Sequence, residues 1–417
     1  MIVEQLELLD FRNYLEIRFD LAEGITAVRG ANGQGKTNFA EALGYLATLS
    51  SFRGVTNDVL VRVGGGPAIL RARIKDEQGR ESLIEAEIAG SSSAAGRNRV
   101  FVNRQRLQRS RDLLGTMRVS VFSPDDLGMI KGGPAERRGF MDDVLVALAI
   151  KYDALRREVD RVLKQRNRLL KQIGGKQIGG KQSGGCADAD ALATLDVWDA
   201  QFSELGDRFA RARSEMVRRV EPYVAEAYRD LATSGSRSGE VQLGYHPSWG
   251  DRPLIEVVTE QRAEDLRRQI STVGPHRDDL ELAINQMPAR THASQGEQRC
   301  LALALKLGAH RLVAEHVGSV PVLVLDDVLS ELDPDRAAAL LRSVPPGQVI
   351  ITSAVPLPES ALPDRVIWIE AGTVVASPYE PSPCESGPCE SGASEPGPCE
   401  PGAHDPGPPE PVSGLSD

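Results

Sequence analysis

The chain has 417 residues, 41% hydrophobic and 26% charged, enough to bury one large core or two moderate ones. Its net charge of −10 is uneven: residues 377–417 hold eight acids and no Lys or Arg, so the first 376 net about −2 and an anionic partner is not excluded. No stretch approaches the roughly 20 apolar residues of a membrane span, and the start MIVEQLELLDF lacks the basic and apolar parts of a signal peptide, so a cytoplasmic protein without a membrane partner is expected.

In chain order, Val3, Leu6 and Leu8, then Leu15, Ile17 and Phe19, then Ile25, Ala27 and Val28 predict three short strands, the last leading into a glycine-bearing loop. A helix is expected from Lys36 towards Leu49. Residues 60–103 alternate apolar and polar side chains between turn signals (VGGG, DEQGR, GSSSAAG), which predicts further strands. Arg97, Arg99, Arg104, Arg106, Arg109, Arg111 and Arg118 fall within 22 residues, opposed only by Asp112. That pattern suits contact with a phosphate backbone, and equally a solvated arginine-rich edge. VSVFSPDDL, residues 119–127, predicts a buried strand closed by a proline-marked turn.

The centre changes character. Met141, Leu145, Leu148, Tyr152, Leu155, Val159, Val162 and Leu169 follow the alternating four-and-three spacing of a helical seam, with Arg166 on its one polar step. Leu195, Trp198, Phe202, Leu205, Phe209, Ala212, Met216 and Tyr223 mirror it, and the glycine-rich IGGKQIGGKQSGG, residues 173–185, lies between. Two long helices with a loose tip predict an antiparallel coiled-coil arm over 136–235, inserted between α/β segments 1–135 and 236–376. The alternative is a plain helical subdomain packed on the core. Pro222 is expected to kink or end the regular part of the second helix.

After about residue 240, VGPHRDDLELAI predicts a turn and strand, SQGEQRCLALALKLGAHRLVAEH a long helix, and VPVLVLDD a buried strand. A helix over Pro334 to Ser343 and a strand at GQVIITS follow. The segment 377–417 is acidic, proline-rich and repeats PCESG; it cannot bury enough apolar surface to offset its ordering entropy, so disorder is expected. Its Cys384, Cys389 and Cys399 show no metal or redox spacing, and Cys186 and Cys300 read as isolated reduced thiols.

The sharpest chemistry lies at residues 29–38, RGANGQGKTN. Gly30, Ala31, Asn32, Gly33, Gln34, Gly35, Lys36 and Thr37 match G-x(4)-G-K-[ST] between a predicted strand and a predicted helix, with Asn38 just beyond. Glycines let successive backbone N–H groups point at phosphate oxygens, and the helix N-terminus adds favourable partial charge. Lys36 is expected to reach the β- and γ-phosphates of ATP, and Thr37 to ligate Mg2+. Far downstream, Val322 to Leu325 end in Asp326, placed to hold the metal, and Asp327, placed as general base. An Asp is one methylene shorter than Glu, so hydrolysis is expected to be slow. SQGEQR, residues 294–299, opens a helix whose Ser294 and Gly296 leave donors free for an anion, although alone it is only a good helix cap.

Together LELLDFRNY (6–14), GANGQGKTNFAEAL, SSFR (50–53), FSPDDLGMIKGGPAERRGFMD (122–142), GPHRDDL (274–280), ASQGEQRCLALALKL and LDDVLSELD resemble the RecF family of SMC-like ABC ATPases over roughly residues 1–376. The resemblance implies an α/β ABC-type ATPase head, of mixed sheets with helices, carrying an inserted helical arm. It implies an ATP-dependent homodimer on DNA (single-stranded, duplex and gap junctions) that acts with RecO and RecR to aid loading of RecA. It further implies that Arg12 and Asn13 lie on the nucleotide side, that Ser294 contacts the γ-phosphate held by the other subunit's Lys36, and that Ser330 to Asp333 form the D-loop. The sequence departs from the pattern at Glu297, where the family signature has glutamine, and at Thr352 and Ser353, where many ABC proteins have histidine. No Q-loop glutamine is evident; Ser123 to Asp126 is the nearest candidate. Two other classes share some of these residues: an ATP-locked dimeric scaffold with negligible turnover, and the nucleotide-binding subunit of an ABC transporter.

Overall fold

A six-stranded sheet carries the nucleotide motifs, in the order Thr373–Val375, Arg365–Glu370, Ile25–Arg29, Val349–Ser353, Val322–Asp326, Val119–Phe122. All its pairings are parallel except that of Thr373–Val375 with Arg365–Glu370. Every residue of Val322–Asp326 and Val349–Ser353 is buried, as a parallel sheet covered on both faces requires. The computed structural model describes residues 1–90, 98–178, 186–232 and 239–376. The readings made for the tail 377–417 and its cysteines, for residues 179–185 of the glycine-rich tip, for the Cys186 side chain and for Arg97 lie outside the described residues; residues 173–178 of the expected loose tip are helical, because the helix Lys151–Ile178 runs through its first two glycines.

A second, antiparallel sheet runs Tyr14–Asp20, Ile2–Phe11, Ala68–Lys75, Glu81–Ile88, Arg99–Val102, Gln105–Arg106. The expected alternation fails at one place: Leu15 is 61% exposed and Tyr14 takes the inner position. The reason is local, because the Tyr14 hydroxyl donates to the Gly35 carbonyl at 2.8 Å. Helix Lys36–Thr48 lies between the sheets, and its Phe39, Leu43 and Leu46 share one apolar cluster with Leu6, Leu70, Val324 and Ile350.

The helical insertion consists of Pro134–Leu148, Lys151–Ile178 and Cys186–Leu231. Met141, Leu145 and Leu148 therefore sit on a helix that stops at Ala149, whose backbone is extended, and not on the arm helix with Val159 and Val162. The fully buried seam residue further along is Leu170, not Leu169. The two long helices pack antiparallel, and their base does not stand apart: Val159, Val162 and Phe202 belong to the same apolar cluster as Leu301 and Leu325. Leu254–Arg268 and the small sheet Val241–His246, Asp279–Ile284, Met287–Pro288 brace that base. Pro222 does not end its helix, which runs on to Leu231. Val224, Ala227, Tyr228 and Leu231 are all buried, and burial outweighs the lost backbone bond. At Gly308, on the facing helix, a Cβ would come within 2.8 Å of the Val224 nitrogen, so that helix pair needs glycine.

Arg166 is fully buried rather than a tolerated polar step. Its guanidinium donates to Asp199 Oδ1 and Asp265 Oδ2 at 2.7 Å each and to Ser271 Oγ at 2.6 Å, pinning both arm helices to Leu254–Arg268. Two sequence motifs without an assigned role meet in a second network. Arg137 grips Asp279 at 2.7 and 2.9 Å, Arg138 donates to the Asp278 carbonyl at 2.8 Å, and Arg213 joins Asp142 at 2.8 Å and Asp278 at 3.1 Å. GPAERR and GPHRDD thus hold the insertion to its small sheet.

Candidate nucleotide-binding site

Strand Ile25–Arg29 delivers the chain into a loop whose Gly30, Gly33 and Gly35 have φ of 157°, 81° and 118°. At Gly35 a Cβ would also meet the Tyr14 hydroxyl at 2.7 Å and Asn13 Nδ2 at 2.8 Å, so glycine is needed twice over. Ala31, Asn32 and Gly33 are exposed at the loop crest. Asn13 Nδ2 donates to the Gln34 carbonyl at 3.1 Å, Asn38 Nδ2 donates to Asn13 Oδ1 at 2.8 Å, and Gln34 Oε1 accepts from the Ala371 N–H at 2.5 Å. These contacts brace the loop from three sides.

Lys36 opens the following helix and is 6% exposed. Its ammonium donates to the Gly30 and Ala31 carbonyls, both at 2.9 Å, so the cation is held across the loop. Burial lowers its proton affinity, and the carboxylates of Asp327 and Asp326 oppose that effect. The fold therefore brings Lys36 beside two acids that lie 290 residues downstream in sequence. Asp326 is 3% exposed; burial raises its carboxyl above the usual range, while hydrogen bonds from Thr352 and Thr37 and the charge of Arg53 favour the ionised form. The Thr352 hydroxyl donates to Asp326 Oδ1 at 2.7 Å and accepts from the Asp327 N–H at 3.0 Å.

Asp327 has φ of 54°, an uncommon conformation for a residue with a side chain, and its Oδ1 is buried without a hydrogen-bond partner among the described residues. A buried oxygen without a partner is costly unless a ligand, metal or water completes it. With the Thr37 hydroxyl and the Asp326 carboxylate it makes an all-oxygen donor set, the kind that suits magnesium.

The other expected site residues fall in two places. Arg12, expected on the nucleotide side, grips the buried Glu41 through Nε and Nη2 at 2.7 Å each and donates to the Val59 carbonyl at 3.1 Å. Its part is to fix the helix after the loop. Ser294 is exposed and caps helix Gln295–Val317, its Oγ accepting from the Glu297 N–H at 3.3 Å while Glu297 Oε2 accepts from the Ser294 N–H at 2.7 Å. Glu297 thereby closes a capping box, a role glutamine also fills. Among the described residues no hydrogen bond or ion pair joins Ser294 or Gly296 to Lys36, Thr37, Asp326 or Asp327. At the position without a glutamine, Ser123 and Asp126 form a capping box of their own, and Asp126 faces Lys306 at 3.3 Å.

Two residues here escape sequence reasoning. Thr352 was visible only as a departure from histidine, and Arg53 only as the end of SSFR. Both act on Asp326 from other parts of the chain, so no local pattern announces them.

Of the expected arginine patch, Arg99 pairs with Glu87 at 3.4 Å, Arg111 pairs with Asp153 at 2.5 Å, and Arg118 is half-buried. Arg104, Arg106 and Arg109 are exposed and make no ion pair among the described residues.

Residues 2–356 match the family model described as RecF/RecN/SMC N terminal domain. The chain is 40% identical to the DNA replication and repair protein RecF of Cutibacterium acnes, across 85% of this chain and 93% of that one. It is also 40% identical to the RecF of Streptomyces avermitilis, across 85% and 94%. Among solved structures it resembles the recombination mediator protein RecF bound to an ATP analogue in the RecFOR pathway, at TM-score 0.79 and 27% identity, covering 89% of this chain and 97% of that one. An SMC head bound to the winged-helix domain of ScpA matches at TM-score 0.52 and 17% identity, covering 90% and 96%, a likeness of fold alone. By sequence and by structure, the chain belongs to the RecF family of DNA replication and repair proteins, built on an SMC-like ABC ATPase head with an inserted helical arm.

Proposed function

We propose that this chain is an ATP-dependent DNA-binding protein of recombinational repair, which dimerises on ATP at gapped DNA, hydrolyses it slowly, and acts in the cytoplasm with RecO and RecR to aid loading of RecA. The observation that carries the nucleotide part is the convergence of Lys36, Thr37, Asp326 and the partnerless Asp327 Oδ1 at one loop. In this reading Gly30 to Gly35 cradle phosphates with backbone N–H groups, and Lys36 exchanges its two carbonyl partners for phosphate oxygens. Thr37 and Asp326 hold magnesium, and Asp327 orients the attacking water and accepts its proton. Magnesium supplies charge neutralisation on the phosphates when bound.

Ser294 and Gly296 sit at the start of helix Gln295–Val317 and, among the described residues, make no hydrogen bond or ion pair to their own chain's loop. Facing a second copy, they complete that copy's site, which makes dimerisation conditional on ATP. The exposed Arg104, Arg106 and Arg109 are the phosphate contacts of the strand-rich lobe, doubled in the dimer so that the second engagement is effectively intramolecular. No base-reading motif is evident, so DNA structure matters more than sequence.

The test is ATP affinity and turnover, with and without gapped DNA, in the wild type, Lys36→Ala and Asp327→Ala. Lys36→Ala should lose nucleotide binding; Asp327→Ala should keep binding and lose turnover. Equal affinity in wild type and Lys36→Ala removes the assignment. Dimerisation without any turnover favours the ATP-locked scaffold instead, a reading that the short Asp327 side chain supports.

A further inference from the structure

The arm's first helix presents a second row of cations that the lobe's arginines do not explain. Arg157, Arg161, Lys164, Arg168 and Lys171 are all exposed, and their spacing of four, three, four and three residues keeps them on one face. The opposite face is the one buried by Val159, Val162, Arg166, Leu170 and Ile173. The stripe spans 14 residue steps, about 21 Å at the helical rise, or the axial length of about six base pairs of duplex. The helix Lys151–Ile178 carries nine Lys and Arg against three Asp and Glu, whereas its partner Cys186–Leu231 carries six against ten. The positive charge is therefore on one side of the arm. Within the stripe the only ion pair among the described residues besides that of Arg157 is Arg161 with Glu158, at 3.8 Å between half-exposed side chains.

A junction centred on one buried carboxylate connects this stripe to the strand-rich lobe. Asp153, 1% exposed, gathers Arg111 of the lobe at 2.5 Å with Arg157 at 2.9 Å and Arg156 at 3.5 Å of the arm. Arg156 also meets Asp143 at 4.0 Å, so three cations face two acids and the junction stays positive, and Arg111 follows directly on the exposed Arg104, Arg106 and Arg109. We propose that the stripe Arg157–Lys171 is a second nucleic-acid contact, so that a duplex lies across the lobe and along the arm, with Asp153 positioning the arginines where the two surfaces meet. The inference rests on the DNA-binding reading above and names the form of DNA that reading takes. A straight row of cations with no aromatic or aliphatic side chain between them fits a regularly charged backbone. A folded acidic protein would require an apolar centre, and a single strand would require stacking rings.

The experiment uses the full chain with ATP and magnesium, and measures affinity for labelled duplex and single strands across a salt titration. Arg161→Gln/Lys164→Gln/Arg168→Gln should lower the log–log salt slope on duplex by about 2.7, at about 0.9 per phosphate contact, and weaken duplex binding on the order of a hundredfold near 0.1 M salt. ATP-dependent dimerisation should stay at the wild-type level, and Arg161→Lys/Arg168→Lys should bind as the wild type does. Wild-type affinity and slope in the glutamine variant overturn the stripe while leaving the lobe's role standing. A loss shared by the lysine variant, accompanied by lost dimerisation, or confined to single strands also overturns it. A wild-type chain that binds no DNA in ATP overturns the proposed function itself.

Discussion

Thr352→Val removes one hydroxyl from the strand beside Asp326 and keeps its volume. That hydroxyl donates to Asp326 Oδ1 at 2.7 Å, and with Asp326 only 3% exposed no water can replace it. A hydrogen bond to a buried charged group contributes about 1.5–3 kcal/mol. The Asp327 N–H loses less, because the Thr352 carbonyl still accepts it at 3.1 Å. The cost therefore falls on the ionised form of Asp326, whose carboxyl burial already holds above the usual range, and losing the donor raises it further. Magnesium is held by the carboxylate and not by the acid. The variant should need about 10–100-fold more magnesium for half-maximal ATP turnover, the usual cost of losing a group that orients a metal ligand. The acid limb of its pH–turnover curve should move to higher pH. The assay is ATP turnover titrated with magnesium at several pH values, with Thr352→Ser, which keeps the hydroxyl, restoring both readouts. An unchanged magnesium requirement together with an unmoved acid limb in Thr352→Val would mean that the Thr352 hydroxyl does not hold Asp326 in its ionised form.

Ser294→Arg should leave a folded monomer that binds ATP and does not dimerise, because a bulky side chain at the exposed helix start blocks a second copy; a dimer by sizing in ATP contradicts this. Arg166→Ala should destabilise the chain by about 3 kcal/mol, since it leaves Asp265 a buried charge without a cation and Asp199 with Arg262 alone. A denaturant midpoint equal to the wild type would show that the pair of acids finds another partner. Burial holds the His310 imidazole down to about 4 from 6.5, so the unfolded chain takes up that proton first as pH falls. Its contribution to stability is complete above 6.5 and is lost on the way down to about 4, by roughly 3 kcal/mol in all. Melting temperature should fall less steeply over that window in His310→Gln; equal slopes would place the acid sensitivity elsewhere.

The nucleotide loop and its partner strand were legible because their constraints are local. Glycines at 30, 33 and 35 are dictated by backbone conformation, and four apolar residues before Asp326 by burial on both faces of a sheet. What escaped reading depends on residues far apart in sequence. Nothing near Arg137 announces Asp279, 142 positions away, and the four-and-three spacing makes Arg166 look like an interruption when it is the buried centre of a network. Periodicity also could not show that the helix carrying Met141 ends at Ala149, or that packing against Gly308 carries a helix through Pro222. Nothing near Arg12, expected on the nucleotide side, announces its pairing with Glu41, 29 positions away. The expected arginine patch thinned for the same reason, as Glu87 and Asp153 claim two of its members.

In the proposed function one chain holds half of a nucleotide site, and ATP completes it with a second copy. The most direct test is the mass of the full chain by light scattering in ATP with magnesium, in ADP with magnesium, and without nucleotide. A dimer is expected in ATP and a monomer in the other two. A monomer in ATP, or the same mass in all three, would contradict it.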